Sequence, residues 1–471
     1  MFWLLIGVIL IFLYFYGTKN HNYWKKKGVK YEKPYIFFGN ALQQHFERVS
    51  LSERFARSYW RYPAEKFVGN YNMRTPGLLI RDPELIKQVL ATDFKYFHYR
   101  GMVNHDHTSE FLFQNLFHAD GDNWKILRQK LTPTFTSGKL KAMFPLIVER
   151  AEKLLTLAEK ALESQDEVDI RELMAKYTTD FIGACGFGLN FEALNSEDSD
   201  FRKLGRRIFT ATTRDIIVST LKECFPAIMK GFNHISPEIE RKTLSLVQQI
   251  MSERNYKPSG RNDFIDMMLE LKEKRKIVGE SAEKKNPDGT PVMIELDATD
   301  ELLAAQVFVF FAAGFETSSH SSSFLLHLLA YNPDIQAKCQ QEIDELLLTI
   351  TSNIFIYNVL GSQNKYRLIR FREAIRILPS PGFLLRKCVK KYTFPGTDLT
   401  IDPGTQIVIS LKGLHHDPKY FDHPERFDPS RFESSDNLQK YVFMPFGEGP
   451  RSCIGNGKNS KRLLDTLCLF T

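Results

Sequence analysis

Near the C-terminus a lone cysteine sits among small and rigid residues, Phe446-Gly-Glu-Gly-Pro-Arg-Ser-Cys453-Ile-Gly455. Gly447 and Gly449 permit a tight loop and helix-like sequence follows. The segment can therefore expose a thiolate at a helix N-terminus, where backbone N–H groups and the dipole lower its pKa. Such a thiolate suits an iron ligand. Gly455 would let a flat cofactor approach the backbone, and Arg451 could meet an anionic substituent on it. The alternative is a buried structural cysteine, the usual fate of an isolated Cys. Trp124 and Arg128 lie four apart, so one helical face can present an indole N–H and a guanidinium together, unless the helix is an ordinary amphipathic one. Glu373 and Arg376, at i and i+3, are either a surface ion pair worth a few tenths of a kcal/mol or a buried pair that needs a third partner. Gly314 offers a small residue, and Thr317 one turn on offers a hydroxyl that can interrupt helical hydrogen bonding and hold water, or simply bond back to its own helix. His105-Asp-His107 and His415-His416 read as solvated histidines rather than metal ligands. No phosphate-binding Gly-rich loop follows a strand, so nucleotide cofactors should bind a partner protein.

These residues need a rigid frame, and the sequence describes one. Residues 74 to 95 alternate a short apolar run with helix-like spacing, which suggests a small strand-bearing region. From about 120 to 270 the pattern is mostly helical. Lys272 to Gly289 has little to bury and reads as a solvated loop. Asp297-Ala-Thr-Asp300 then caps a helix that continues to Tyr331, where Asn332-Pro333 stops it. This helix is apolar nearly all round from Val307 to Phe315, so it should run through the core and carry Gly314 and Thr317 there. After about 380, β-type runs such as Thr405 to Leu411 and Pro/Gly/Asp-rich turns dominate. The expected fold class is mainly α with a minor β region.

The 471 residues are enough for a large core, and 43% hydrophobic against 25% charged residues excludes a disordered or fibrous chain. A net charge of +7, spread along the chain, does not argue for nucleic acid. Six dispersed cysteines with no CxxC pair fit neither a disulfide framework nor a zinc site. Met1 to Thr18 carries no charged side chain and as a helix would reach roughly 27 Å, close to the thickness of the hydrocarbon core. No basic residue precedes it and bulky Tyr14, Phe15 and Tyr16 end it, so it reads as an uncleaved anchor. Lysines at 19, 25, 26, 27, 30 and 33 follow, which by the positive-inside rule keeps the body on the cytosolic side. The expected organisation is an anchor over 1–18, a basic linker over 19–40 and one catalytic domain over 41–471.

The loop around Cys453 resembles the haem-thiolate signature of cytochrome P450 monooxygenases, FxxGxRxCxG, with every fixed position matched. Trp124-Lys-Ile-Leu-Arg128, Ala313-Gly-Phe-Glu-Thr317, Glu373-Ala-Ile-Arg376 and Pro424-Glu-Arg-Phe427 match further family motifs in order and spacing. The wording at 130–141, 310–319 and 414–421 looks most like the insect microsomal branch that oxidises plant toxins and insecticides. The resemblance implies a P450 fold, haem b ligated by Cys453, and haem propionates bound by Trp124, Arg128, Arg451 and Arg386. Thr317, with Glu316 as the nearest acid and Ala313 and Gly314 beside it, would organise proton delivery to oxygen. Glu373, Arg376 and Arg426 would form a structural trio. The resemblance also implies NADPH as electron source through a reductase, cytochrome b5 as a further partner, an apolar substrate (a xenobiotic or a lipid-like compound), contact with membrane lipid, and a place on the endoplasmic reticulum. Residues 349–370 and 456–471 depart from the family pattern, and the 18 residues after Cys453 are fewer than its long helix and C-terminal hairpin require. The expectation is a chain truncated there, with a non-catalytic or misfolded haem-binding remnant as the alternative function.

Overall fold

The computed structural model describes residues 1–42, 49–103, 110–164, 167–188, 203, 205, 207, 210, 212–349, 365–433 and 439–456. Its body is mainly helical: α1 (Phe2–Thr18), α2 (Leu51–Arg61), α3 (Gly121–Leu131), α4 (Ser137–Ser164), α5 (Ile170–Ile182), α6 (Thr213–Cys224), α7 (Pro237–Glu253), α8 (Phe264–Glu273), α9 (Asp300–Ala330), α10 (Pro333–Thr349) and α11 (Lys365–Ile377). The main sheet has the order β1 (Phe67–Asn72), β2 (Thr75–Ile80), β8 (Gln406–Ser410), β5 (Phe383–Lys387), and β6 (Tyr392–Thr393) pairs with β7 (Thr400–Ile401) beside it in sequence. Only the β2–β8 pair is parallel, Leu78 opposite Ile407 and Ile80 opposite Ile409. Both inner strands are buried on both faces, which accounts for their continuous Leu/Ile/Val runs.

Two cores result. One surrounds the sheet and includes Val68, Leu79, Ile80, Val408 and Leu414. The other surrounds α9, whose 31 residues pack against α5, α7, α8 and α11. The Thr299 side chain caps α9 by accepting from the Leu302 N–H at 3.2 Å, and Asp300 and Glu301 in its first turn suit the dipole. By length and composition α9 could cross a membrane. Here it is a core helix, and its internal amide Gln306 is satisfied by the Leu302 and Gln114 carbonyls and the Leu116 N–H. The apolar side chains of α1, by contrast, face outward, with Trp3 80% and Phe12 66% exposed.

Two expectations change. Lys272 to Gly289 is not a loop. Lys276–Lys285 forms β3, antiparallel to β4 (Pro291–Asp297), and its buried positions Ile277, Gly279 and Ser281 alternate with exposed ones. The charges that suggested solvation occupy the outer face, while Gly279 packs on Ile126 of α3. The signal for a hairpin was the Asn286-Pro-Asp-Gly289 turn, in which Gly289 has φ +85°. Residues 19–40, expected as a basic linker, pack on β1: Trp24 is fully buried and its indole donates to the Asn70 carbonyl at 3.0 Å.

Candidate active site

Of the five cysteines among the described residues, Cys453 alone is exposed. Burial pushes the thiols of Cys185 and Cys388 up to about 12 and about 11, so neither supplies a thiolate near neutrality. The Cys453 loop is closed by the Cys453 N–H donating to the Phe446 carbonyl at 2.8 Å, a turn that needs positive φ at Gly447 (+69°) and Gly449 (+76°). At Gly449 a Cβ would also overlap the Leu90 carbonyl oxygen. A Cβ on Gly455 would stand 3.6 Å from the Cys453 sulfur, in ordinary van der Waals contact with it. A 3₁₀ turn, Ile454–Asn456, follows, and the continuation expected as a helix lies outside the described residues, as do Cys468, His105 and His107.

Four arginines from four parts of the chain converge beside this loop. Arg451 donates from Nε to the His98 carbonyl at 2.6 Å and from Nη2 to Ala119 O and Asp120 Oδ1, each at 2.9 Å. Its guanidinium lies 4.3 Å over the Trp124 ring. Arg128 donates to the Ser452 carbonyl at 2.9 Å, so Trp124 and Arg128 both serve the loop from one face of α3. Arg386, on β5, is fully buried and donates to the Leu385 carbonyl at 2.7 Å. Arg100, which the sequence reading passed over, donates to the Phe117 carbonyl at 2.7 Å and lies near the Arg451 carbonyl. Asp120 binds the Arg100 and Gly101 N–H groups at 2.7 and 3.0 Å as well as Arg451, instead of capping α3 with its side chain.

The cluster is short of negative charge. Burial, then Arg128, lowers Arg100 to about 10, burial, then Arg100, lowers Arg451 to about 9, and burial holds Arg386 well below the usual range. A charged Cys453 thiolate favours the charged forms of Arg100 and Arg128. Two buried donors of the cluster, Arg386 Nε and Arg451 Nη1, have no acceptor among the described residues. A buried guanidinium with unmet donors is costly, and carboxylates placed among these groups would satisfy both deficits. Haem b carries two propionates, so these residues fit it, with Cys453 supplying the sulfur.

On α9, Ala313 and Thr317 are exposed on one stripe of an otherwise packed stretch. Thr317 Oγ1 donates to the Ala313 carbonyl at 2.6 Å. Glu316 turns aside from that stripe and lies 3.6 Å from Arg171 of α5. A Cβ on Gly314 would stand 2.7 Å from Ile182, so the missing side chain admits α5 rather than opening space beside Thr317. Ile454, next to Cys453, packs on the same core as Phe311 and Phe315, which joins the cysteine loop to α9.

Glu373 and Arg376 are both fully buried and pair through two bonds of 2.8 and 2.7 Å. The third partner is corrected. Arg426 is exposed and contributes only its carbonyl, which accepts from Arg376 at 3.2 Å. The guanidinium beside Glu373 is that of Arg431, 3.4 Å away. Two similar runs, Pro424 to Phe427 and Pro429 to Phe432, compete for the motif, and spacing alone does not separate them.

His415 is buried behind this trio, its carbonyl accepting from Arg376 and its Nε2 accepting from the Met444 N–H at 3.3 Å. Burial, then Arg376, push its imidazole down to about 3. Between about 6.5, the ordinary value, and about 3 the unfolded chain binds a proton that the folded chain refuses, so stability falls as pH drops through that window. His415→Gln should flatten the pH dependence of the urea midpoint between about pH 7 and pH 4. An unchanged slope would contradict this account. His416 instead bonds the Ile377 carbonyl at 2.7 Å.

A sequence model of the cytochrome P450 family matches residues 29–457. The protein named Cytochrome P450 6B7 of Helicoverpa armigera is 36% identical over 98% of this chain and 89% of its own length. Cytochrome P450 6B5 of Papilio glaucus is 39% identical over 95% and 92%, and Cytochrome P450 6a2 of Drosophila melanogaster is 35% identical over 97% and 89%. Similarity of that extent, on a chain whose cysteine loop and arginines suit a thiolate-bound dianionic macrocycle, means that this chain belongs to the cytochrome P450 family and is a haem monooxygenase of the insect type.

Proposed function

We propose that the protein inserts one atom of O2 into an apolar organic substrate, a xenobiotic or a lipid-like compound, using electrons from NADPH passed on by a flavoprotein reductase, with cytochrome b5 as a second donor. The observation that carries this reading is the exposed Cys453 sulfur beside a charge-deficient ring of Arg100, Arg128, Arg386 and Arg451. Haem b, when bound there, supplies the redox chemistry that activates oxygen, and thiolate donation favours O–O cleavage. The arginines and Trp124 would hold its carboxylates and keep water from them. Residues of the exposed α9 stripe upstream of Thr317, Ala313 and the half-buried Val309, are apolar, which favours an apolar substrate. Turnover of an alkoxycoumarin with reductase, NADPH and isotopically labelled O2 tests the reading. One labelled atom in the product supports it, and label drawn from water, or no turnover, opposes it.

Thr317 gates protons in this account. Its hydroxyl donates to Ala313 O and can in turn accept from water, so it can hold a water on the exposed stripe. Thr317→Ala should retain haem and substrate binding yet divert NADPH into peroxide, with Thr317→Ser restoring most coupling. Unchanged coupling in Thr317→Ala would remove the role.

The chain sits on the endoplasmic reticulum through α1, with its body in the cytosol. Lysines that follow α1 favour that orientation. A glycan-acceptor tag inserted after residue 33 should stay unmodified in microsomes, and its glycosylation would reverse the assignment.

A further inference from the structure

One side chain of the β3–β4 hairpin, Glu283, meets the segment that carries part of the arginine cluster. Glu283 Oε1 accepts from the Tyr99 hydroxyl at 2.6 Å and lies 3.3 Å from His98 Nε2. The two residues it grips begin a segment in which each of four consecutive positions holds part of the cluster. His98 offers its carbonyl to Arg451, and the Tyr99 carbonyl accepts from the Lys387 N–H, next to Arg386, at 2.8 Å. Arg100 and Gly101 give their N–H groups to Asp120.

The grip is built rather than incidental. Asp122 of α3 accepts from the Ser281 hydroxyl at 2.8 Å and from the Ala282 N–H at 2.5 Å, and Lys125 donates to the Ser281 carbonyl at 3.1 Å, which fixes the strand just before Glu283. Room for the carboxylate exists because residue 121 is glycine, with φ +54°. A Cβ there would stand 2.8 Å from Glu283 Oε1 and 3.0 Å from the Tyr99 hydroxyl oxygen. Burial and Glu283 raise the Tyr99 phenol above its ordinary range, so it stays protonated and donates. Glu280 of the same strand pairs with Lys125 instead.

We infer that Glu283 is a positioning residue for haem retention: through Tyr99 and His98 it holds segment 98–101 so that Arg451 and Arg100 stay aimed at the haem carboxylates. The inference rests on the haem reading of the arginine cluster. It is tested on the full-length haem protein in detergent by following haem transfer to excess apomyoglobin, with unfolding midpoints measured alongside. Glu283→Ala and Tyr99→Phe should each speed haem loss roughly tenfold, the size of effect expected for a charge-assisted hydrogen bond. The double variant should lose haem no faster than Glu283→Ala alone, because that variant already removes the Tyr99 contact. Glu283→Gln keeps an acceptor for Tyr99 and should return the rate to within about twofold of the parent. Tyr99→Phe preserves packing, so it reads out the contact even if Glu283→Ala folds poorly. Haem loss at the parental rate in both single variants, additive effects in the double, or acceleration that merely follows a lowered unfolding midpoint would each overturn the inference. A parent protein that takes up no thiolate-ligated haem would instead overturn the reading on which it rests.

Discussion

Arg376→Met is expected to leave little folded, haem-loaded protein to recover. Both charges of the Glu373–Arg376 pair are fully out of water. Arg376 also donates to the carbonyls of His415 at 2.8 Å and Arg426 at 3.2 Å, and Glu373 accepts from the Asp428 N–H at 3.0 Å. Removing the guanidinium strands a buried carboxylate and two carbonyls, a loss of about 3–5 kcal/mol against a net stability of about 5–15 kcal/mol. Because His415 and Met444 lie between this pair and the cysteine loop, haem occupancy should fall with stability. Glu373→Met combined with Arg376→Met removes both charges and should recover part of the loss. Urea midpoints measure this directly: a single variant within about 1 kcal/mol of the parent would mean that the pair behaves as a surface contact. The corrected third partner has its own test. Arg431→Ala should destabilise clearly, whereas Arg426→Ala should stay within about 0.5 kcal/mol because that side chain is solvent-exposed.

What could be read from the sequence follows from the range of the interactions involved. The caps and apolar runs that define α9, β2 and β8 are local, and they appear where periodicity and turn residues put them. The cysteine loop was equally legible, because its glycines and proline encode the turn within ten residues. Arg100 was invisible for the opposite reason: its value comes from Asp120 and from Arg451, which is 351 residues away, and no spacing rule connects them. The β3–β4 hairpin was obscured by its charges, since only one face of it touches α3 and composition averages the two faces. Gly314 is legible in sequence only as a small residue next to Thr317, whereas the close contact it permits is with Ile182 on a neighbouring helix. In each of these cases the determining fact is a tertiary contact rather than a residue type.

The measurement that bears most directly on the whole account is the carbon monoxide difference spectrum of the reduced protein. The parent should show the red-shifted Soret band of a thiolate-ligated haem. Cys453→Ser should lose that band, while Cys185→Ser and Cys388→Ser, whose thiols are buried and hard to ionise, should keep it. A red-shifted band that survives Cys453→Ser, or that disappears with Cys185→Ser or Cys388→Ser instead, would place the ligand elsewhere and contradict the assignment of the site.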